Sequence, residues 1–201
     1  MGQTARGQVL TLAKKRPIVR AAEVARLGVH TQLLTRLVAE GVLERVSRGR
    51  YRSPGAHSTE HHGLALTAAA VPRGVVCLLS ALVFHGIGTQ NPSEVWLAVD
   101  RRARAPRLAW PPLRIVRFSG RALTEGVETH RIEGESVRIY SLAKTVADCF
   151  KYRNKLGLDV ALEALKDAWR HRRVRIGELE RYARVCRVER VMRPYLEALS
   201  A

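Results

Sequence analysis

With 201 residues, 46% of them hydrophobic, the chain has room for one medium domain, or for a small domain of about 60 residues beside a larger one, and is too apolar for wholesale disorder. Thirty-five Lys/Arg against 18 Asp/Glu give a formal net charge of +17, a surplus that points to a polyanionic partner. The most apolar run, around residues 75–84, falls well short of the roughly 20 predominantly apolar residues a membrane span needs, which favours nucleic acid over membrane.

Residues 4–15 read as a first helix with Val9, Leu10, Leu12 and Ala13 inward, stopped ahead of Pro17. Ile18-Val19 is a short extended piece, and residues 21–27 form a second helix closed by a tight turn at Gly28. A third helix starts at His30 or Thr31 and ends on Gly41, a left-handed cap. On its wheel Leu34, Leu37 and Val38 share the inward face, so Thr31, Gln32, Thr35 and Arg36 look outward. A hairpin follows, with Arg48-Gly49 at its tip and Arg45, Arg50 and Arg52 on its strands.

That order describes a winged helix-turn-helix, which lays its third helix in the major groove of double-stranded DNA. Glutamine can pair in a bidentate way with adenine and arginine with guanine, so Gln32 and Arg36 are the candidate base readers, assisted by Thr31 and Thr35. Arg45, Arg48, Arg50 and Arg52 are expected on phosphates or in the minor groove, where they add affinity without sequence preference. Charge distribution agrees: residues 1–58 hold eleven Lys/Arg against Glu23, Glu40 and Glu44, a surplus of eight, while the other 143 residues hold the remaining nine.

Ser53-Pro54-Gly55-Ala56 reads as a linker, which divides the chain into a winged helix-turn-helix over residues 1–55 and a C-terminal domain over residues 56–201. The second part opens with an Ala/Leu-rich helix over residues 58–70, closed by Val71-Pro72. Residues 75–79 read as a strand, and Ser80 as the N-cap of a short helix through His85 that Gly86 stops. Strands are expected over 94–99 and 113–118, then a hairpin of 127–132 and 136–140 around Glu133-Gly134. Helices follow over 141–152, 159–170, 177–185 and 189–199. The fold class is therefore α+β, a winged helix followed by a mixed domain with a small sheet and a helical C-terminal half.

A second basic stretch holds Arg101, Arg102, Arg104, Arg107, Arg114, Arg117 and Arg121, with no acid between Asp100 and Glu125. It reads either as a solvated loop or as a second surface for nucleic acid or an acidic partner. Arg170, Arg172, Arg173 and Arg175 form a third such cluster. His57, His61 and His62 with Glu60 lack the spacing and further ligands of a metal site and read as a solvated helix start, so no metal or cofactor is expected. His85 reads as a core or cap histidine, and Asp148 as an internal ion-pair partner beside Lys144 and Arg153. Cys77, Cys149 and Cys186 form no CxxC pair and read as reduced, mostly buried thiols. With no apolar signal core in the first residues, a cytoplasmic location is expected. There is no GxxxxGK phosphate loop, no GxSxG elbow and no paired-carboxylate metal signature of a nuclease or nucleotidyltransferase, so no catalysis is expected.

The chain resembles the AbiEi family of antitoxins from bacterial type IV toxin–antitoxin systems. The resemblance rests on Leu27-Gly28-Val29 through Gly41 and on the wing Leu43-Glu44-Arg45-Val46-Ser47-Arg48-Gly49-Arg50-Tyr51-Arg52. It continues in Leu79-Ser80-Ala81-Leu82 with His85-Gly86, in Glu94-Val95-Trp96-Leu97-Ala98, in residues 141–150 with Tyr152-Arg153, and in residues 157–165. Lys144 stands where the family more often has arginine. The resemblance implies a winged helix that binds inverted repeats in the promoter of its own operon and represses it. It also implies a C-terminal domain that counters a nucleotidyltransferase-type toxin encoded next door, without a stable complex being required, and an association with phage defence. On that reading Arg101, Arg102, Arg104 and Arg107 are candidates for the toxin-neutralising surface. Two rivals remain: a regulator whose C-terminal domain senses a ligand or oligomerises, and a nucleic-acid-processing enzyme targeted by its winged helix.

Overall fold

A computed structural model of the chain describes residues 4–15, 18–54 and 59–200. The expected boundary at 55/56, and His57, lie outside the described residues. Two compact units emerge: residues 1–72 with 131–137, and residues 73–130 with 138–201.

The first unit begins with α1 (Ala5–Lys15), β1 (Val19–Arg20), α2 (Ala21–Arg26) and α3 (Gln32–Ala39). The wing strands β2 (Glu44–Ser47) and β3 (Arg50–Arg52) follow, then α4 (His62–Ala70). β3 is the central strand of a three-stranded sheet, antiparallel to β1 and to β2, with Tyr51 opposite Val19 on one side and Arg45 on the other. One core holds it together: Val9 and Ala13 of α1, Val24 of α2, Leu34 and Leu37 of α3, and Val19, Val29, Leu43 and Tyr51 between them. These are the positions that helical and strand periodicity place on one side, and their burial supplies the unit's main driving force.

The second unit contains β4 (Val75–Val76), α5 (Leu78–His85), β5 (Val95–Asp100), β6 (Leu113–Phe118) and the short α6 (Arg121–Thr124). Next come the hairpin strands β7 (Val127–Ile132) and β8 (Glu135–Tyr140), whose tip clusters with the first unit. α7 (Leu142–Lys151), α8 (Arg153–Leu156), α9 (Leu158–Arg170), α10 (Ile176–Cys186) and α11 (Glu189–Ser200) complete the chain. The sheet runs β6-β5-β4-β8-β7, with β5 parallel to β6, β4 parallel to β8, and β4 antiparallel to β5.

α7 is the centre of this unit. All nine residues from Leu142 to Phe150 are buried, and α5, α9, α10 and α11 pack around them. A helix buried on every side has to pair its polar groups internally. Lys144 does so: its ammonium lies 2.5 Å from Asp148 Oδ2, both side chains fully buried, and 4.2 Å from the centre of the Tyr140 ring. The Cys186 thiol donates to the other Asp148 oxygen at 3.1 Å. Burial pushes the Asp148 carboxyl up, against the pull of Lys144. Gly126 makes room for this lysine, since a β-carbon there would stand 2.8 Å from Lys144 Cβ. Asp148 is thus an internal ion-pair partner through Lys144, whereas the Arg153 guanidinium donates instead to the Phe150 carbonyl. All three cysteines are free and buried, and burial raises each thiol well above its ordinary value.

Three local expectations need correction. Ser80 does not cap its helix: α5 starts at Leu78, and the Ser80 hydroxyl instead accepts from the Trp96 N–H and donates to the Glu94 carbonyl, tying the helix to β5. β4 is accordingly only two residues long. His62 is no solvated helix start but is buried and bonded on both ring nitrogens. The short helices α6 and α8 were not expected at all; each is a single turn with no apolar periodicity to read. Among the described residues no helix is long and apolar enough to cross a membrane, and no three His, Cys, Asp or Glu side chains group to hold a metal ion.

Candidate nucleic-acid interface

α2, the turn and α3 position the candidate surface. Gly28 ends α2 at φ +74°, a left-handed conformation that a residue with a β-carbon adopts only under strain, and the chain reverses there into α3. The His30 ring caps the first turn of α3, its Nδ1 accepting from the Gln32 N–H at 3.2 Å. With Leu34 and Leu37 fully buried, the helix cannot rotate, and Thr31, Gln32, Thr35 and Arg36 are all exposed along its opposite side. Arg36 has no carboxylate within ion-pair distance among the described residues. The one acid at the end of α3, Glu40, is bonded to Arg6 at 2.6 Å, which removes its repulsion from the surface.

The wing is anchored at both ends. At its tip Gly49 accepts from the Ala21 N–H at 2.8 Å, fixing the hairpin to the start of α2. At the same helix start the Glu23 carboxylate accepts from the Arg20 N–H. The Arg20 side chain forms a two-pronged bond to Glu135, at 3.0 and 2.6 Å, on the tip of the β7–β8 hairpin. At the wing base, Arg52 donates to Glu44 and to His62 Nε2, while His62 Nδ1 bonds Glu133 at 2.6 Å. Because a guanidinium only donates, His62 Nε2 is the acceptor from Arg52, and Nδ1 faces the Glu133 carboxylate. Burial pushes the Glu133 carboxyl up, but the Thr59 N–H and hydroxyl together with His62 outweigh it and hold it below its usual value.

The four wing arginines therefore separate. Arg45 and Arg48 are exposed and unpaired among the described residues. Arg50 is half-buried, and its Nε has no acceptor among the described residues. Arg52 is committed to Glu44 and His62 and acts as part of the scaffold. No local pattern marks that commitment in advance, because Glu133, which holds His62, lies 71 residues from it.

In the second unit Arg101, Arg102, Arg104 and Arg107 are exposed on the loop between β5 and β6. Arg117 fixes the start of that loop by donating to the Asp100 and Ala103 carbonyls, and Asp100 accepts from the Arg102 N–H at 2.8 Å. Arg114 is stacked over Trp96, 5.3 Å from the ring centre. Of the third cluster, Arg173 donates to the His85 carbonyl.

No curated protein matches the chain. Over residues 8–54, from α1 through the wing, the chain matches a family described as transcriptional regulators, AbiEi antitoxin.

Proposed function

We propose that the protein is a DNA-binding autorepressor and antitoxin of the type IV kind. The observation that carries the reading is an α3 whose apolar side is locked into a core while Thr31, Gln32, Thr35 and Arg36 stand exposed, next to a wing that presents Arg45 and Arg48. The regulator family matched by the same residues supports it. α3 enters the major groove of the operon's own promoter, at inverted repeats. Gln32 and Arg36 contact base edges, Thr31 and Thr35 assist, and Arg45, Arg48 and Arg50 hold phosphates. Arg52 keeps the wing in place from behind. The residues after the winged helix counter a nucleotidyltransferase-type toxin encoded next door, with Arg101, Arg102, Arg104 and Arg107 as the surface presented to it, and the pair works in the cytoplasm.

Two assays in cells test both halves with the full chain. A promoter–reporter fusion is repressed by the wild type and released by an Arg36→Ala, Arg48→Ala variant. Growth under induction of the neighbouring gene is restored by the wild type and by that same variant. Growth rescue lost together with repression would show one activity and not two. A neighbouring gene that is harmless when induced would favour the ligand-sensing regulator.

A further inference from the structure

The second unit holds a pocket of about 440 Å³ that no sequence motif announces. Three separate stretches wall it: the end of β6 and the turn into α6, with Arg117, Ser119 and Arg121; the end of α7, with Lys151; and the end of α10, with Arg184 and Arg187. Five basic residues thus line one concavity, and no acidic residue does. Glu125 stands beside it but is bonded to Arg121 and to Arg181. Asp148, a buried residue of α7 itself, is taken by Lys144. Lys151, Arg184 and Arg187 are exposed and make no ion pair among the described residues.

Helix ends alone do not account for this charge. α7 and α10 both finish here, and each C-terminus carries roughly half a negative charge, about one in total. Glu125 offsets one further cation, so a surplus of about three remains. Arg187 occupies the cap of α10 at φ +59°, where a glycine fits without strain. Arginine there keeps a cation at the pocket against its own backbone preference. Arg117 is held in place by the carbonyls of Asp100 and Ala103, with its other N–H groups left to donate.

We propose that this pocket binds a compact polyphosphate, two or more linked phosphates as carried by a nucleoside triphosphate or by inorganic triphosphate. Guanidinium forks match phosphate oxygens, and the volume lies within the range of small-molecule sites, roughly 300–1,000 Å³. The cations surround a hollow and do not line a track, which suits a compact anion better than a strand. The one aromatic residue in the wall, Phe118, is buried and offers no face for a base, so the phosphates are recognised and the base is not.

Calorimetric titration of the full chain at moderate salt with inorganic triphosphate, ATP, UTP and orthophosphate tests this. One saturable site is expected, with triphosphate, ATP and UTP within about threefold of one another and orthophosphate at least about tenfold weaker. An Arg184→Gln, Arg187→Gln variant should weaken all three polyphosphates by about tenfold or more. Arg172→Gln with Arg175→Gln removes the same charge from exposed positions outside the pocket and should change nothing. No saturable binding of triphosphate, or equal loss in both double variants, overturns the proposal. So does a single-stranded RNA that displaces triphosphate with affinity rising along its length, which would mark a strand-binding track. Neither variant touches α3 or the wing, so promoter binding is an independent readout and its failure leaves this result standing.

Discussion

The two units solve opposite problems with the same residue, arginine and its kin. In the first, a small core fixes the orientation of α3 and the wing, and Arg36, Arg45 and Arg48 are left exposed without acids. In the second, a larger core closes around α7, and the cation at its centre, Lys144, is sealed in with Asp148 at 2.5 Å. An exposed, unpaired cation contributes little to stability and is available to a ligand; a buried, paired one is the reverse. Position therefore separates the two roles, and substitution should separate them too.

The largest effect is expected inside α7. Lys144→Met strands the Asp148 carboxylate in a dry site and should cost about 3–5 kcal/mol in urea unfolding. A loss below about 1 kcal/mol would mean that water reaches the pair and that the second unit is not organised around it. The counterpart on the first unit is Arg36→Ala, with unfolding unchanged but promoter binding weakened by about 1–3 kcal/mol and specificity relaxed at one position. If Arg36→Ala instead lowered the unfolding midpoint, the contrast between the two kinds of cation would blur.

A smaller effect depends on pH. Burial holds the His85 imidazole below its ordinary value, and its bond to the Tyr140 carbonyl only partly opposes this. The unfolded chain therefore takes up this proton first as the pH falls. The contribution is complete above the ordinary histidine value near 6.5 and is lost as pH falls through the folded value. His85→Gln should flatten the urea midpoint between pH 7.5 and 5.5; an unchanged slope would assign the dependence elsewhere. Glu133, also held low, contributes fully above the ordinary carboxylate value and loses that contribution as pH falls through its folded value. Smallest of all is Arg6→Ala, which breaks an exposed pair with Glu40 and should change stability by less than about 0.5 kcal/mol.

What could be read in advance followed the range of the interaction. β6 over Leu113–Phe118 and β7 over Val127–Ile132 fall where strand propensity between turn signals puts them, and Glu133-Gly134 adopts the positive φ values of +50° and +79° that a tight hairpin needs. The exposed side of α3 follows from its 3.6-residue period. Ser80 misled because its partners, Glu94 and Trp96, lie 14 and 16 residues further on. His62 looked solvated because Glu133, which holds it, belongs to a distant hairpin. Arg52 looked like its neighbours in the wing for the same reason, and the cations of the pocket come together only once three distant stretches fold.

The central claim is that α3 reads bases while the wing holds phosphates. It is tested most directly by fluorescence anisotropy with the purified full chain, its own upstream region and a scrambled duplex, over a range of salt. The wild type should prefer the upstream region, Arg36→Ala should lose most of that preference, and Arg48→Ala should weaken both duplexes alike while lowering the salt slope by about one. Equal affinity of the wild type for both duplexes at moderate salt would contradict it.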